Sequence, residues 1–431
     1  MLTQSSTEYL QCDKHQPQCL RCQSSSRTCG GYLYPNLYEI QESDCPRTSS
    51  GGNRVQRPGN FSAYGIEKSL AIHQSQRQLI SLFLNDYLPP HAPGSISYQS
   101  PVYWAETFFS FLDSQSTIVN DSLSALTLAH LGSSKCDATL AHQGRYHYGL
   151  AMQKICALQT LEHPTSLVRT GMILALYELY SHPLGSETSW QVHVQGAYNL
   201  MRASKLPHHA LSRHDRRRLF TIEFLRLCMS EQRLDSTNFW GQLKGLSSDM
   251  FDRLLEILSQ TAYLLVPLQE RYSHNGTSRN SANTLLQQSV YNEGQLLTWF
   301  HELQLEDHSR LLSVSQHMLD DTLESTQDSI TYTNPSSVPL LALYWLGLVV
   351  VYTSMAKALR TLIQAGDERS CLKKKLETAE LLCCRLANRL SQWRTKCMGV
   401  GQGTAILLMA TSSAVEHICQ NLQGDLRIVD N

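Results

Sequence analysis

Cys12, Cys19, Cys22 and Cys29 stand at the spacing C-x6-C-x2-C-x6-C within the stretch CDKHQPQCLRCQSSSRTCGGY. A C-x2-C turn points two thiolates at one ion, and a six-residue loop on either side returns a third and a fourth sulfur. Four such sulfurs make the tetrahedral shell that structural zinc takes. Zinc held by these four residues is therefore the expected cofactor. The rival chemistry is a pair of disulfides, which needs an oxidising compartment. The leading residues MLTQSSTEYLQ carry no basic segment followed by an apolar run, so no export signal is read there. The other nine of the thirteen cysteines are scattered, some in apolar helical patterns such as Leu381-Leu382-Cys383-Cys384. That is the usage of free thiols in a reducing compartment.

The remaining chemistry-bearing residues read as structural. Trp190, His193 and Gly196 recur on one helical face. That face is expected to pack, with Gly196 admitting a neighbouring helix and His193 hydrogen-bonded inside. A catalytic histidine needs a positioned acid or nucleophile, and spacing indicates none. Gly399-Val400-Gly401-Gln402-Gly403-Thr404 opens a helix as a phosphate-cradling loop would. A dinucleotide fingerprint needs a preceding strand, and residues 376 to 396 read as helix, so an inter-helix turn is expected. Arg213, Arg216, Arg217 and Arg218 are the sharpest basic cluster, read as a solvated helix face, with a nuclear import patch or an acidic partner as the alternative. Cys383 and Cys384 are adjacent on a helix and read as core thiols pointing apart. The sequons at Asn60, Asn120 and Asn275 read as chance matches. No catalytic residues are identified, and the chain is not expected to be an enzyme.

Positioning these residues falls to an almost wholly helical chain. With 431 residues and a net charge of −1, it can bury a large core but has no global basic field for nucleic acid. Residues 1 to 60 hold six Lys/Arg against five Asp/Glu. Lys14, Arg21 and Arg27 are the candidates for phosphate contact, and binding through so few cations is expected to be weak. The longest apolar run, Val338 to Tyr352, is shorter than a bilayer requires and reads as a buried central helix. Three regions follow: 1–32 with the cysteines, a Ser/Gly/Pro-containing linker at 33–66, and an all-α domain at 67–431. In that domain apolar residues recur at helical spacing from Leu79 to Leu88 and in ten or so later stretches. Asp121 and Thr165 read as N-caps, and segments 273–283 and 322–337 read as loops.

The pattern C-D-x3-P-x-C-x2-C-x6-C-x-G-Y resembles the last two-thirds of the fungal Zn(II)2Cys6 binuclear cluster. Asp13, Pro17 and the Gly31-Tyr32 tail all match. In that family six cysteines bind two zinc ions, and basic residues after an initial C-x2-C reach the DNA bases. Here that first pair is absent, and residues 1–11 contain no Cys, Lys or Arg. By position, Cys12, Cys19, Cys22 and Cys29 would be the third to sixth ligands, and Cys19 would be a bridging sulfur without its partner. Two explanations stand: a start placed too late, or a real loss of half the module.

A second resemblance runs over roughly residues 76 to 420. Leu126-Thr127-Leu128-Ala129, Tyr148-Gly149-Leu150-Ala151, Leu174-Ala175-Leu176-Tyr177-Glu178, Trp190-x2-His193-x2-Gly196-Ala197 and Leu343-Tyr344-Trp345 look like the ordered marks of the fungal-specific transcription factor domain. The two resemblances imply a nuclear regulator of RNA polymerase II genes, such as a metabolic or biosynthetic gene cluster. They imply promoter DNA, the transcription machinery and a homodimer or related zinc-cluster proteins as partners, and no membrane. The alternative is an interaction or dimerisation protein that has lost DNA binding and modulates intact relatives.

Overall fold

A computed structural model describes residues 63–88, 101–112, 116–157, 164–181, 189–204, 210–230, 249–265, 279–306, 338–366, 369–396 and 401–429. The chain divides into two units, 1–75 and 76–431; α1 below crosses that boundary, and the packing described is that of the second unit. The described residues form twelve α-helices and one 3-10 turn, with no strand. The fold class is all-α, as the helical periodicity and the near absence of alternating patterns predict.

The elements are α1 (Ala63–Tyr87), a 3-10 turn (Pro101–Thr107), α2 (Phe108–Leu112), α3 (Thr117–Ser134), α4 (Ala138–Ala157), α5 (Pro164–Ser181) and α6 (Ser189–Ala203). They continue with α7 (Arg213–Met229), α8 (Met250–Ala262), α9 (Arg279–Glu306), α10 (Val338–Gln364), α11 (Ser370–Lys396) and α12 (Gln402–Val429). α3 packs on α4 and α5, and α5 packs on α6. α7 touches the 3-10 turn, α6, α8 and α12, while α10 is flanked by α8, α9, α11 and α12.

Over residues 338–352 α10 is apolar on all sides, and a helical stretch without a polar face has to be surrounded. It is long and apolar enough to cross a bilayer by length and composition, yet its apolar window lies wholly inside the protein. The run from Val338 is thus the central helix expected of it. α7 is also surrounded, although its sequence RHDRRRLFTIEFLRLCM is rich in charge. Its charges must then find partners inside, since a buried ion without one is costly.

Several local expectations change. α3 starts at Thr117 behind Ser116, so Asp121 lies within the helix and does not cap it. Its carboxylate accepts instead from Lys154 at 2.5 Å and faces Nδ1 of His147 at 3.2 Å. α5 starts at Pro164, where a fixed φ suits the first helical position, so Thr165 falls inside the first turn. α1 begins at Ala63, within the stretch read as linker, and α9 begins at Arg279, within one read as a loop. A strong cap that was not foreseen opens α7, where the Ser212 hydroxyl accepts from the Asp215 amide and Asp215 accepts from the Ser212 amide. This reciprocal capping box satisfies two end donors at once.

Candidate functional site

Cys12, Cys19, Cys22 and Cys29, with Lys14, Arg21 and Arg27, lie outside the described residues. Among the described residues no group of three His, Cys, Asp or Glu side chains is placed to hold a metal.

Three of the marks noted in sequence meet at one point. Nε2 of His193 on α6 lies 3.0 Å from the Tyr148 hydroxyl on α4 and 3.7 Å from Oε1 of Glu178 on α5. The Tyr148 ring stacks on Tyr177 with centroids 4.7 Å apart and meets His193 edge-on. Burial lowers the pKa of His193 against the pull of Glu178, which keeps the ring neutral at neutral pH. Burial, then the hydrogen bond to Glu178 and its charge, raise the pKa of Tyr148. His193 is therefore hydrogen-bonded inside, as expected. The acid that spacing did not reveal is supplied by tertiary contact. The side chains of His193 and Glu178 are 13% and 9% exposed, so the cluster joins three helices and presents little surface to a substrate.

Gly196 does not admit a neighbouring helix. A Cβ built there meets nothing within 4 Å, and the residue is exposed. The close approach occurs at Gly171 on α5, whose Cβ would sit 2.9 Å from the Ala197 Cβ and 3.2 Å from the His193 carbonyl oxygen. Trp190 is buried. The packing face thus runs through Trp190 and Ala197, and the glycine that makes room for it belongs to the partner helix.

The arginine cluster is not a wholly solvated face, although the Arg213 side chain stays 37% exposed. Arg217 and Arg218 are each 3% exposed. Arg213 and Arg217 both pair with Asp249 and Asp252 at the start of α8, at 2.6–2.8 Å. Arg216 donates to the Leu211 carbonyl at 2.7 Å. Arg218 lies over the Trp104 ring, 5.7 Å from its centroid. Burial raises the pKa of Asp252, but hydrogen bonds from Arg217 and Arg213 and their charges outweigh it, and the net shift is downward. The reason is topological: α7 is central, so the α8 carboxylates take the place of solvent.

Asp215 is a second junction that sequence reading missed. It is fully buried. Its Oδ1 accepts from Trp104 Nε1 at 3.0 Å, and its Oδ2 accepts from Arg169 at 2.9 and 3.0 Å and from Ser212. One carboxylate thereby joins the 3-10 turn, α5 and the start of α7. A signal existed in Ser212-x2-Asp215, a capping-box spacing. Another lay in Asp249-x2-Asp252, whose helical spacing complements that of Arg213 and Arg217.

The glycine-rich segment behaves as an inter-helix turn. Gly401 has φ of 87°, in the left-handed region that favours glycine, and α12 begins at the next residue. Gly403 lies against Tyr87, whose ring would be 2.7 Å from an added Cβ. Cys383 is buried and Cys384 exposed, so the two thiols do point apart, but only Cys383 is a core thiol.

Comparison with protein families matches residues 79–231 to the model of the fungal specific transcription factor domain. The matched span runs from within α1 to just past α7 and contains Tyr148, Glu178, His193 and Asp215. The mark at Leu343-Tyr344-Trp345 and the cysteines at 12–29 lie outside it. Comparison with curated proteins and with solved structures gave no match.

Proposed function

We propose that the chain is a fungal transcription regulator in which an N-terminal zinc site is followed by an all-α regulatory body. The observation that carries this reading is the match of residues 79–231 to the fungal specific transcription factor domain. The donor set Cys12, Cys19, Cys22 and Cys29 fits one zinc ion, since four thiolates complete its tetrahedral shell. The metal would supply local folding energy. Lys14, Arg21 and Arg27 would contribute phosphate contacts beside it. The working compartment is the nucleus, and the targets are RNA polymerase II genes, such as a metabolic or biosynthetic cluster. The helical body would contact the transcription machinery. Since Arg217 and Arg218 are buried, any import signal is carried by other residues. The test is loss of the gene in its fungal host with transcripts and chromatin occupancy followed together. The proposal expects a limited gene set to change at promoters where the tagged protein is found, and unchanged transcripts with no promoter enrichment would refute it.

A second reading, an interaction protein that modulates intact relatives by pairing with them, is favoured by one face of α9. Val290, Tyr291, Leu297 and Leu305 are exposed there, within a third of the helix circumference at 100° per residue. It expects a dimer by sedimentation, dissociated by Leu305→Glu together with Tyr291→Glu. A chain that stays monomeric at high concentration would remove this reading.

A further inference from the structure

Cys383 on α11 and Cys419 on α12 bring their sulfurs to 3.9 Å across the helix pair. The hydroxyl of Thr353 on α10 lies 3.5 Å from the Cys383 sulfur. Cys383 is buried and Cys419 partly open to solvent, while Cys384, one residue on, is exposed on another side of α11. Nothing in the metal or regulatory reading uses this pair. A disulfide needs its sulfurs at about 2.05 Å, so bonding asks for side-chain rotation and a small approach of two helices already in contact.

We propose that Cys383 and Cys419 are a modification site for hydroperoxides and close to a reversible disulfide that fastens α12 to α11. The hydrogen bond from Cys419, and then the one from Thr353, lower the pKa of Cys383 to about 7 despite its burial. The same contact, with burial, raises that of Cys419. With both the Thr353 hydroxyl and the Cys419 thiol within hydrogen-bond reach of its sulfur, Cys383 is the better placed to be held as a thiolate; it is the attacking group and Cys419 the resolving thiol. Around them stand Glu380, itself paired with Arg360 at 2.7 Å, and Glu416. The Cys383 thiolate attacks one peroxide oxygen, and the O–O bond breaks. The other oxygen leaves as hydroxide and takes up a proton to become water. Cys383 is then a sulfenic acid. The Cys419 sulfur attacks it, the S–S bond forms, the S–O bond breaks, and the hydroxyl departs with the Cys419 proton as a second water. Two thiols and one hydrogen peroxide give one disulfide and two waters, and a dithiol reductant returns the two electrons.

The test treats the reduced full-length chain with hydrogen peroxide and maps its peptides without reductant. Residues 376–385 form one tryptic peptide carrying both Cys383 and Cys384, so fragment spectra assign the bond. The expected product links Cys383 to Cys419, weighs two hydrogen atoms less, and is restored by dithiothreitol. Because the bond closes a long loop, the oxidised chain should melt about 5 °C higher than the reduced one. Cys419→Ser should abolish the bond and that rise and leave Cys383 as a sulfenic acid captured by dimedone. Cys384→Ser should change neither. Should Cys419→Ser fail to fold, Cys419→Ala is the second variant, and the wild-type map decides by itself. No bond at Cys383, a bond through Cys384, or a cross-link lost in Cys384→Ser would overturn the proposal.

Discussion

His193 is the residue whose surroundings separate a site from a scaffold. Its contacts with Tyr148 and Glu178 are largely closed to solvent, so its substitution should act on stability. His193→Gln can keep one hydrogen bond and should cost about 1 kcal/mol in chemical unfolding. Burial also lowers the folded pKa values of His130 and His214. A histidine with a lowered folded pKa binds its proton more readily when unfolded. Its stabilising effect is complete above about pH 6.5 and is lost as pH falls through that value towards the folded one. Unfolding free energy should therefore drop below pH 6.5, and less steeply in His193→Gln. An identical slope would remove His193 from the account. The glycines give a paired test at the same scale. Gly171→Ala forces a Cβ against Ala197 and should cost about 1–3 kcal/mol. Gly196→Ala, with open space around it, should be neutral or stabilise by roughly 0.5–1 kcal/mol. Their order by thermal unfolding checks where the helices meet. The sequence showed that Trp190, His193 and Gly196 share a face. It could not show that the close approach belongs to Gly171, because that depends on which helix lies opposite.

At the scale of elements, α7 was located almost to the residue by periodicity, yet its surroundings were misread. A run of arginines suggests solvent when the helix is taken alone. Here α8 meets it with Asp249 and Asp252, and the 3-10 turn meets it with Trp104. Helix positions are set by local spacing, whereas burial of charge is set by neighbours distant in sequence, so the first was legible and the second was not. Caps lie between these cases: Asp121 and Thr165 were plausible by type, but the helices extend further towards their N-termini. Asp252→Asn should cost about 3 kcal/mol, at the low end for breaking a buried pair, because Asp249 still faces both guanidinium groups. The lowered pKa of Asp252 means its contribution is complete above about pH 4 and is lost as pH falls through the folded value. Acid unfolding of Asp252→Asn should accordingly show a shallower loss below pH 4 than wild type, and equal acid profiles would contradict the pairing.

For the whole molecule, the helical class was readable from periodicity, and the central position of α10 from its apolar run at 338–352, which has to be surrounded. The N-terminal region rests on its cysteine spacing and on resemblance. About one zinc per chain is expected by elemental analysis, with a thiolate-to-cobalt charge-transfer band on substitution and loss of metal in Cys19→Ala. Two zinc ions per chain would contradict a single four-sulfur site. Specific DNA binding by residues 1–431 should be weak, with a salt slope of only a few phosphate contacts, and a steep slope with one strongly preferred half-site would refute that. Regulation of transcription by the helical body is tested most directly by tethering, which isolates it from DNA recognition. The full chain is fused to an unrelated DNA-binding domain, and a reporter carrying that domain's site is measured in a fungal host. Reporter output should change several-fold, be retained in Cys19→Ala because the tether replaces the zinc site, and be lost in Asp252→Asn in proportion to its unfolding. An unchanged reporter, with the folded fusion present at the promoter, would contradict regulation by the helical body.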